Sequence, residues 1–189
     1  MKKTCRKIIS VLVVIVAVIN LAGCGYRGGK VKGGVYTNDY FGIKLTPPEW
    51  IDYVENPEEA DDWVIALSYC YMQGQKDSFM AEYALQVPSA GLIICSEDNP
   101  GGVTADDFVK NIQAQQKEKV FFSYTTIVDK DVYINDVSFR QLTFDSNGNH
   151  QTFLIKVYDD RILFIYISTT ANAVEDGEED ELIASVTGI

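Results

Sequence analysis

The sequence predicts an α+β fold in which helices sandwich a central antiparallel sheet, with the element order β-α-β-β-α-β-β-β-β-α. Most strand-like segments follow one another through short turns, which is the usual connection between antiparallel strands. Two helix-like segments with one apolar face interrupt the strands, and a third, shorter one lies near the end of the chain. Hairpins that outnumber helices in this way favour a sheet covered by helices.

The first predicted strand and the first predicted helix are separated by two prolines. Residues 36–45 alternate between apolar and polar side chains, and Pro47 and Pro48 end this strand because proline cannot donate a ladder hydrogen bond. Residues 57–73 begin with acids and then place apolar side chains at helical spacing, which predicts an amphipathic helix that ends near Gly74. Those apolar residues are Trp63, Ala66, Leu67 and Cys70.

A hairpin and a second helix follow. Residues 78–86 and 91–97 flank a short turn, and their composition predicts an antiparallel pair of strands. Thr104 precedes Asp107 by three residues, as in a capping box, and predicts a helix over 104–119.

The second half of the chain is mostly strand-like. Asn147-Gly148 is its strongest hairpin signal, and Asp159-Asp160 indicates another tight turn. A short helix is predicted around 178–184, where acidic residues suit the N-terminal end of the helix dipole. The strand-like stretches are 120–128, 131–134, 137–145, 150–158 and 161–170.

The N-terminus has the three zones of a secretory signal peptide: a basic start, an apolar run over 8–21 and a small-residue exit. As a helix the apolar run would span roughly 21 Å, which is short of the ~30 Å hydrocarbon core. We therefore expect residues 1–23 to be a removable signal peptide rather than a permanent spanning helix.

The end of the apolar run, Leu21-Ala22-Gly23-Cys24, resembles a bacterial lipobox. The resemblance implies that the Cys24 thiol receives a diacylglycerol and that cleavage then makes Cys24 the first residue. Two acyl chains anchor stably, because burial is worth about 0.8 kcal/mol per CH₂ and one chain holds only marginally. The expected partner is a lipid bilayer, at the extracytoplasmic face of the cell membrane. The alternative is an ordinary cleaved signal with an incidental cysteine.

Charge is unevenly distributed along the predicted mature chain. Residues 24–35 are glycine-rich and carry three cations and no acid, which predicts a flexible basic tether of roughly 20 Å. The alternative is a linker whose charges have no role. Residues 36–189 have the length of one domain and carry 9 basic against 27 acidic residues, a formal charge of −18. Such a domain lacks the clustered cations that phosphate neutralisation requires, so we expect no nucleic-acid partner.

Three stretches of this domain are similar to the PsbP-like superfamily: YTNDYFGIKLTPPEW at 36–50, INDVSFRQLTF at 134–144 and ELIASV at 181–186. This superfamily includes the extrinsic photosystem II subunit of that name, a nuclear import factor that binds the Ran GTPase, and many bacterial lipoproteins. The resemblance implies a single PsbP-like domain over 36–189, with a central antiparallel sheet between helices. It also implies action by binding protein complexes, and it brings no active-site motif.

Candidate chemistry within the domain is sparse. Asp145, Asn147 and Asn149 have the first three ligand spacings of an EF-type calcium loop, but His150 and Lys156 stand where that loop needs glycine and glutamate. A hairpin turn explains the same residues better. His150 is the single histidine, and nothing local supports a triad or metal site around it, so we expect an exposed polar side chain. No cofactor is predicted.

Two cysteines remain in the domain, Cys70 in the first predicted helix and Cys95 at the end of a predicted strand. Export permits oxidation, and a bridge between them would close a loop of about 25 residues, worth roughly 3.5 kcal/mol. The alternative is two buried thiols that act as small apolar residues, and it is favoured because a bridge between helix and strand is geometrically demanding.

These features favour a membrane-anchored lipoprotein that is not an enzyme and that binds another protein of the cell envelope. One alternative is a module that binds a small molecule or a cation. A less favoured one is an enzyme that uses carboxylates, which would need two acids with raised pKa values in one deep cleft.

Overall fold

The computed structural model describes residues 26–55, 79–118 and 124–189. The predicted signal peptide, Cys24, the first predicted helix and Cys70 lie outside these residues. The strands are β1 (Lys30–Lys32), β2 (Val35–Asn38), β3 (Ile43–Leu45), β4 (Asp52–Val54), β5 (Phe79–Val87), β6 (Ala90–Asp98), β7 (Thr125–Ile134), β8 (Val137–Ser146), β9 (Asn149–Val157), β10 (Arg161–Thr169) and β11 (Val186–Gly188). The helices are α1 (Ala105–Glu118), α2 (Ala171–Glu175) and α3 (Glu178–Ala184).

The larger sheet has seven antiparallel strands in the order β4-β5-β6-β10-β9-β8-β7. Its centre is β10, which is buried along its whole length and is mostly apolar on both faces from Ile162 to Ile167. The predicted Asn-Gly hairpin is confirmed: Asn147 (φ 56°) and Gly148 (φ 83°) form the two-residue turn between β8 and β9.

One face of this sheet is covered by α1. The helix buries Phe108, Val109 and Ile112 in a cluster with aromatic and branched side chains of the sheet. Its predicted capping box is also confirmed, because the Thr104 hydroxyl accepts a hydrogen bond from the Asp107 amide at 3.2 Å and donates one to the Asp107 carboxylate at 2.7 Å.

The opposite face differs from the predicted sandwich of helices. It is covered by a second, four-stranded sheet in the order β1-β2-β3-β11, together with α3. The predicted single strand over 36–45 turns at Gly42 (φ 65°) and forms two short strands, β2 and β3. With β1, β4, α2 and β11 also missing from the prediction, the predicted element order was wrong.

The predicted flexible tether over 24–35 also differs from the structure, from Tyr26 onward. Tyr26 packs against the core, the Gly29 amide donates to Glu82 at 2.6 Å, and β1 pairs with β2. The glycines that suggested flexibility instead permit close approach, because a Cβ on Gly29 would lie 2.1 Å from the Tyr36 ring. Residues 26–35 therefore belong to the domain.

We expect Gly29→Ala to lower the free energy of unfolding by about 2–3 kcal/mol, since the buried Tyr36 ring has to move to admit a methyl group. Denaturant titration measures this change. Gly101→Ala is the matched control, because its Cβ would meet only Val103 at 4.0 Å. Equal stability of the two variants would contradict the close packing at Gly29.

Among the described residues, no helix is both long enough and apolar enough to cross a bilayer.

Candidate functional site

A cleft opens in the described structure where β8 and β9 diverge. The two strands pair from Ser146 opposite Asn149 to Arg140 opposite Ile155, although β8 extends back to Val137 and β9 on to Val157. The cleft between the unpaired ends has a volume of about 620 Å³.

Main-chain groups line this cleft. The turn between β8 and β9 has two residues, so hydrogen-bonded pairs recur at every second position, and the next pair would join Ser138 to Val157. Pairing stops before it reaches them, and both residues line the cleft. Their N–H and C=O groups therefore face the cleft instead of each other.

One wall of the cleft is the loop between β6 and α1, which is fixed by the buried Asn99. The Asn99 amide group donates to the carbonyls of Val103 and Tyr158, each at 3.1 Å, and its oxygen accepts from the Val103 amide at 2.8 Å. Asn99 thus ties this loop to the turn after β9, and the wall is preformed.

The first cation of the cleft, Arg140, is already paired with acids. Its guanidinium lies 2.6 Å from Asp129, 3.4 Å from Asp131 and 3.8 Å from Asp106. An incoming anion would have to compete with three carboxylates at this position.

The second cation, Lys156, has no such partner: no carboxylate of the described residues forms an ion pair with it. Its ammonium lies 5.7 Å from the ring centre of Phe139 and 5.8 Å from that of Tyr158. Desolvation by these surroundings lowers the Lys156 pKa from its ordinary value. A half-buried ammonium against two rings can pair with a carboxylate or phosphate from outside the domain.

A neighbouring cavity of about 510 Å³ shares Asn99 and Asp159 with the cleft, but its charges are largely paired within the protein. The Arg161 guanidinium lies 3.8 Å from the ring centre of Tyr26 and donates to Asp98 and to Ser96. The cation of this cavity therefore contacts Tyr26 and is already paired with an acid.

The weak calcium-ligand candidates Asp145 and Asn149 make hydrogen bonds at their own hairpin instead. The Asp145 carboxylate accepts from the Gly148 amide at 2.8 Å, and the Asn149 side chain donates to the Ser146 carbonyl at 3.1 Å and accepts from the Ala171 amide at 3.1 Å. These contacts favour the hairpin interpretation. Within the described ranges, no group of three or more His, Cys, Asp and Glu side chains is placed to hold a metal ion.

His150 is not the exposed side chain that the sequence suggested, because only 18% of it is accessible. Its Nδ1 lies 2.5 Å from Glu179, whose other carboxylate oxygen accepts from Thr152 at 2.5 Å, and its Nε2 lies 3.9 Å from Asp145. These contacts fasten α3 to the sheet. The run of acids at 178–181 could have indicated such an inward partner.

Cys95 is buried in the sheet and is bonded to no other described cysteine, and desolvation raises the pKa of its thiol well above the ordinary value. Its possible disulfide partner, Cys70, and the predicted lipid-attachment residue, Cys24, lie outside the described residues. The choice between a bridge and two buried thiols therefore stays open, and the lipid anchor stays a prediction.

No family model and no curated protein sequence matches the chain. It is similar in structure to cyanobacterial PsbP from Synechocystis sp. PCC 6803, with a TM-score of 0.50 and 11% identity over 88% of this chain and 99% of that one. A protein of unknown function from Pseudomonas aeruginosa, described as a putative regulator, has a TM-score of 0.35 and 16% identity over 69% and 90%. The similarity to cyanobacterial PsbP shows that the chain has a PsbP-like fold.

Proposed function

We propose that the protein is an extracytoplasmic lipoprotein, anchored through acylated Cys24, whose domain is a non-catalytic module that binds an extended segment of another envelope protein. The observation that carries the binding proposal is the unpaired end of the β8–β9 ladder, which presents main-chain groups in an open cleft. Addition of a strand to such groups is a recurrent mode of peptide recognition.

Lys156 defines the kind of segment that fits. A strand that pairs with Ser138 or Val157 passes the ammonium of Lys156, so an acidic side chain or a terminal carboxylate of the partner gains an ion pair there. The half-buried ring of Tyr158 supplies apolar contact beside this charge.

A second candidate is capture of a small anionic molecule. The cleft volume falls within the range of roughly 300–1,000 Å³ that is usual for small-molecule sites, and Lys156 is again the charged anchor. The enzyme alternative has less support, because Glu97, a carboxylate whose pKa is raised by desolvation, does not line the cleft.

A photo-reactive amino acid at Ser138 tests the binding proposal in intact cells. We expect a discrete cross-linked protein from this exposed position and none from Asp52, which lies on β4 at the other edge of the sheet. Equal products from Ser138 and Asp52 would refute the proposed cleft.

A second experiment places the probe at Tyr158 and varies Ser138. Ser138→Pro should abolish the cross-linked product because it removes the N–H that faces the cleft, whereas Ser138→Thr keeps that N–H and should retain the product.

The anchor is tested separately by Cys24→Ala. We expect the wild-type protein to float with membranes in a density gradient and the variant to lose this association, because it lacks the thiol that carries the acyl chains. Unchanged flotation of the variant would show that the anchor lies elsewhere.

A further inference from the structure

The outer face of the smaller sheet is basic, although the domain as a whole is strongly acidic. The register places Lys30 opposite Thr37 and Thr37 opposite Lys44, and Lys32 lies two residues along β1 on the same face. Two strand spacings are about 10 Å, so the three ammonium groups share one small area. We call this surface, formed by Lys30, Lys32 and Lys44, the lysine face.

The lysine face points away from the core. Tyr36, Ile43 and Leu45, on the other side of the same strands, are fully buried against the larger sheet, whereas all three lysines are exposed. Lys30 forms an ion pair with Asp39 at 3.4 Å, but both side chains are more than three-quarters exposed, and such pairs hold a charge only weakly.

The chain limits how far the domain can lie from the proposed anchor. Only Gly25 separates Cys24 from Tyr26, so their Cα atoms are at most about 7 Å apart. Tyr26 is itself held by Glu82, by the side chain of Asn38 at 2.7 Å and by the Arg161 guanidinium. A domain attached in this way cannot swing on a 20 Å tether.

We infer that the lysine face docks on the anionic surface of the bilayer and holds the domain in one orientation. The inference rests on the proposed anchor at Cys24. Lys30 follows Tyr26 by four residues, at most about 14 Å along the chain, so the short connection keeps the lysine face near the membrane surface. The charge of that surface acts over roughly 8–10 Å at physiological ionic strength. Charge selects this side of the domain, because the remaining surface is dominated by acids that the same lipids repel.

Lysine footprinting of the acylated mature protein tests the orientation. Protein purified from membranes is placed in vesicles of phosphatidylcholine alone or with phosphatidylglycerol, and amine acetylation is measured by mass spectrometry. We expect acetylation of Lys44 and Lys30 to fall about fivefold on the anionic vesicles and to recover in high salt. Lys110 is the matched control, since 74% of its side chain is exposed against 80% for Lys30, and it should change little.

Paired variants test whether the protection of Lys44 depends on the charge of the lysine face or only on closeness to the membrane. Lys30→Gln with Lys32→Gln should restore acetylation of Lys44 to the level seen on neutral vesicles, whereas Lys110→Gln with Lys130→Gln should leave Lys44 protected. Equal acetylation of Lys44 on both vesicle types, with the protein floating on them, would overturn the orientation and leave the anchor intact. Failure of the wild-type protein to float would overturn the anchor, and the inference with it.

Discussion

Replacing Glu82 by alanine is expected to lower the free energy of unfolding by about 3 kcal/mol, because four donors lose their shared acceptor. The Tyr26 hydroxyl donates to one carboxylate oxygen. The Gly29 amide, the Tyr36 hydroxyl and the Asn38 side chain donate to the other, at 2.6, 2.6 and 3.1 Å. Hydrogen bonds to a charged group are worth about 1.5–3 kcal/mol each, but they are not additive when they share a partner.

The loss of stability in Glu82→Ala should affect the N-terminal strands first, as well as the domain as a whole. All four donors lie in residues 26–38, which include β1 and β2, so we expect amide hydrogen exchange in these strands to accelerate before the larger sheet is affected. Glu82→Gln should have a smaller effect, because the amide keeps one acceptor oxygen.

Glu97→Gln is the matched control for Glu82. Glu97 is a half-buried carboxylate on the neighbouring strand, and desolvation raises its pKa, so removal of its charge relieves a cost. We expect a change of less than about 1 kcal/mol, of either sign. If Glu82→Ala and Glu97→Gln lowered the free energy of unfolding by comparable amounts, Glu82 would have no special role in holding the N-terminal segment.

Local patterns in the sequence predicted the parts of the fold that depend on near neighbours. The capping box at Thr104, the Asn147-Gly148 turn and the acidic start of α3 each act within a few residues, and each element was found where it was expected. The alternation of side chains on β8 and β9 likewise follows from the pleat of a strand.

The smaller sheet could not be predicted in this way, because it closes through distant partners. Val186 on β11 pairs with Leu45 on β3 across most of the domain, and each of these strands has only three residues. Such short strands carry no periodic signal of their own, and they are stabilised by burial against the larger sheet.

The importance of Glu82 and Lys156 could not be predicted from the sequence for a related reason. Glu82 lies at a bulge, since the pairing of β5 with β6 shifts between Ala81 and Tyr83, and the extra residue turns the carboxylate toward the N-terminal segment. Lys156 occupies an ordinary polar position in the alternation of β9. Its importance comes from the divergence of β8, which no feature of β9 itself encodes.

High pH is expected to unfold the domain through two buried tyrosines. Tyr36 and Tyr83 are 0% exposed, and desolvation raises the pKa of each well above the ordinary value of 10.0, with the charge of Glu82 adding to the effect at Tyr36. The native state therefore keeps protons that the unfolded chain loses above pH 10. Stability should fall by about 1.4 kcal/mol per pH unit for each tyrosine, and half-buried Tyr26 adds less because solvent screens it.

Denaturant titration at half-unit steps from pH 8 to 12 measures this slope, and absorbance at 295 nm reports phenolate formation. Tyr36→Phe should flatten the curve above pH 10 by about 1.4 kcal/mol per pH unit. Tyr133→Phe, which alters a side chain that is 79% exposed, is the control for the substitution itself. Stability that stayed constant up to pH 11.5 would contradict the buried phenols.

The same titration has an earlier stage that reports on Cys95. Burial raises the pKa of its thiol well above the ordinary 9.0, so a free thiol should begin to cost stability near pH 9, before the tyrosines contribute. Cys95→Ala removes this stage if the thiol is free. A disulfide to Cys70 has no thiol to titrate, so in that case the stage would appear only after reduction. The curve recorded with and without reductant therefore decides between the possible bridge and the two buried thiols that the sequence favours.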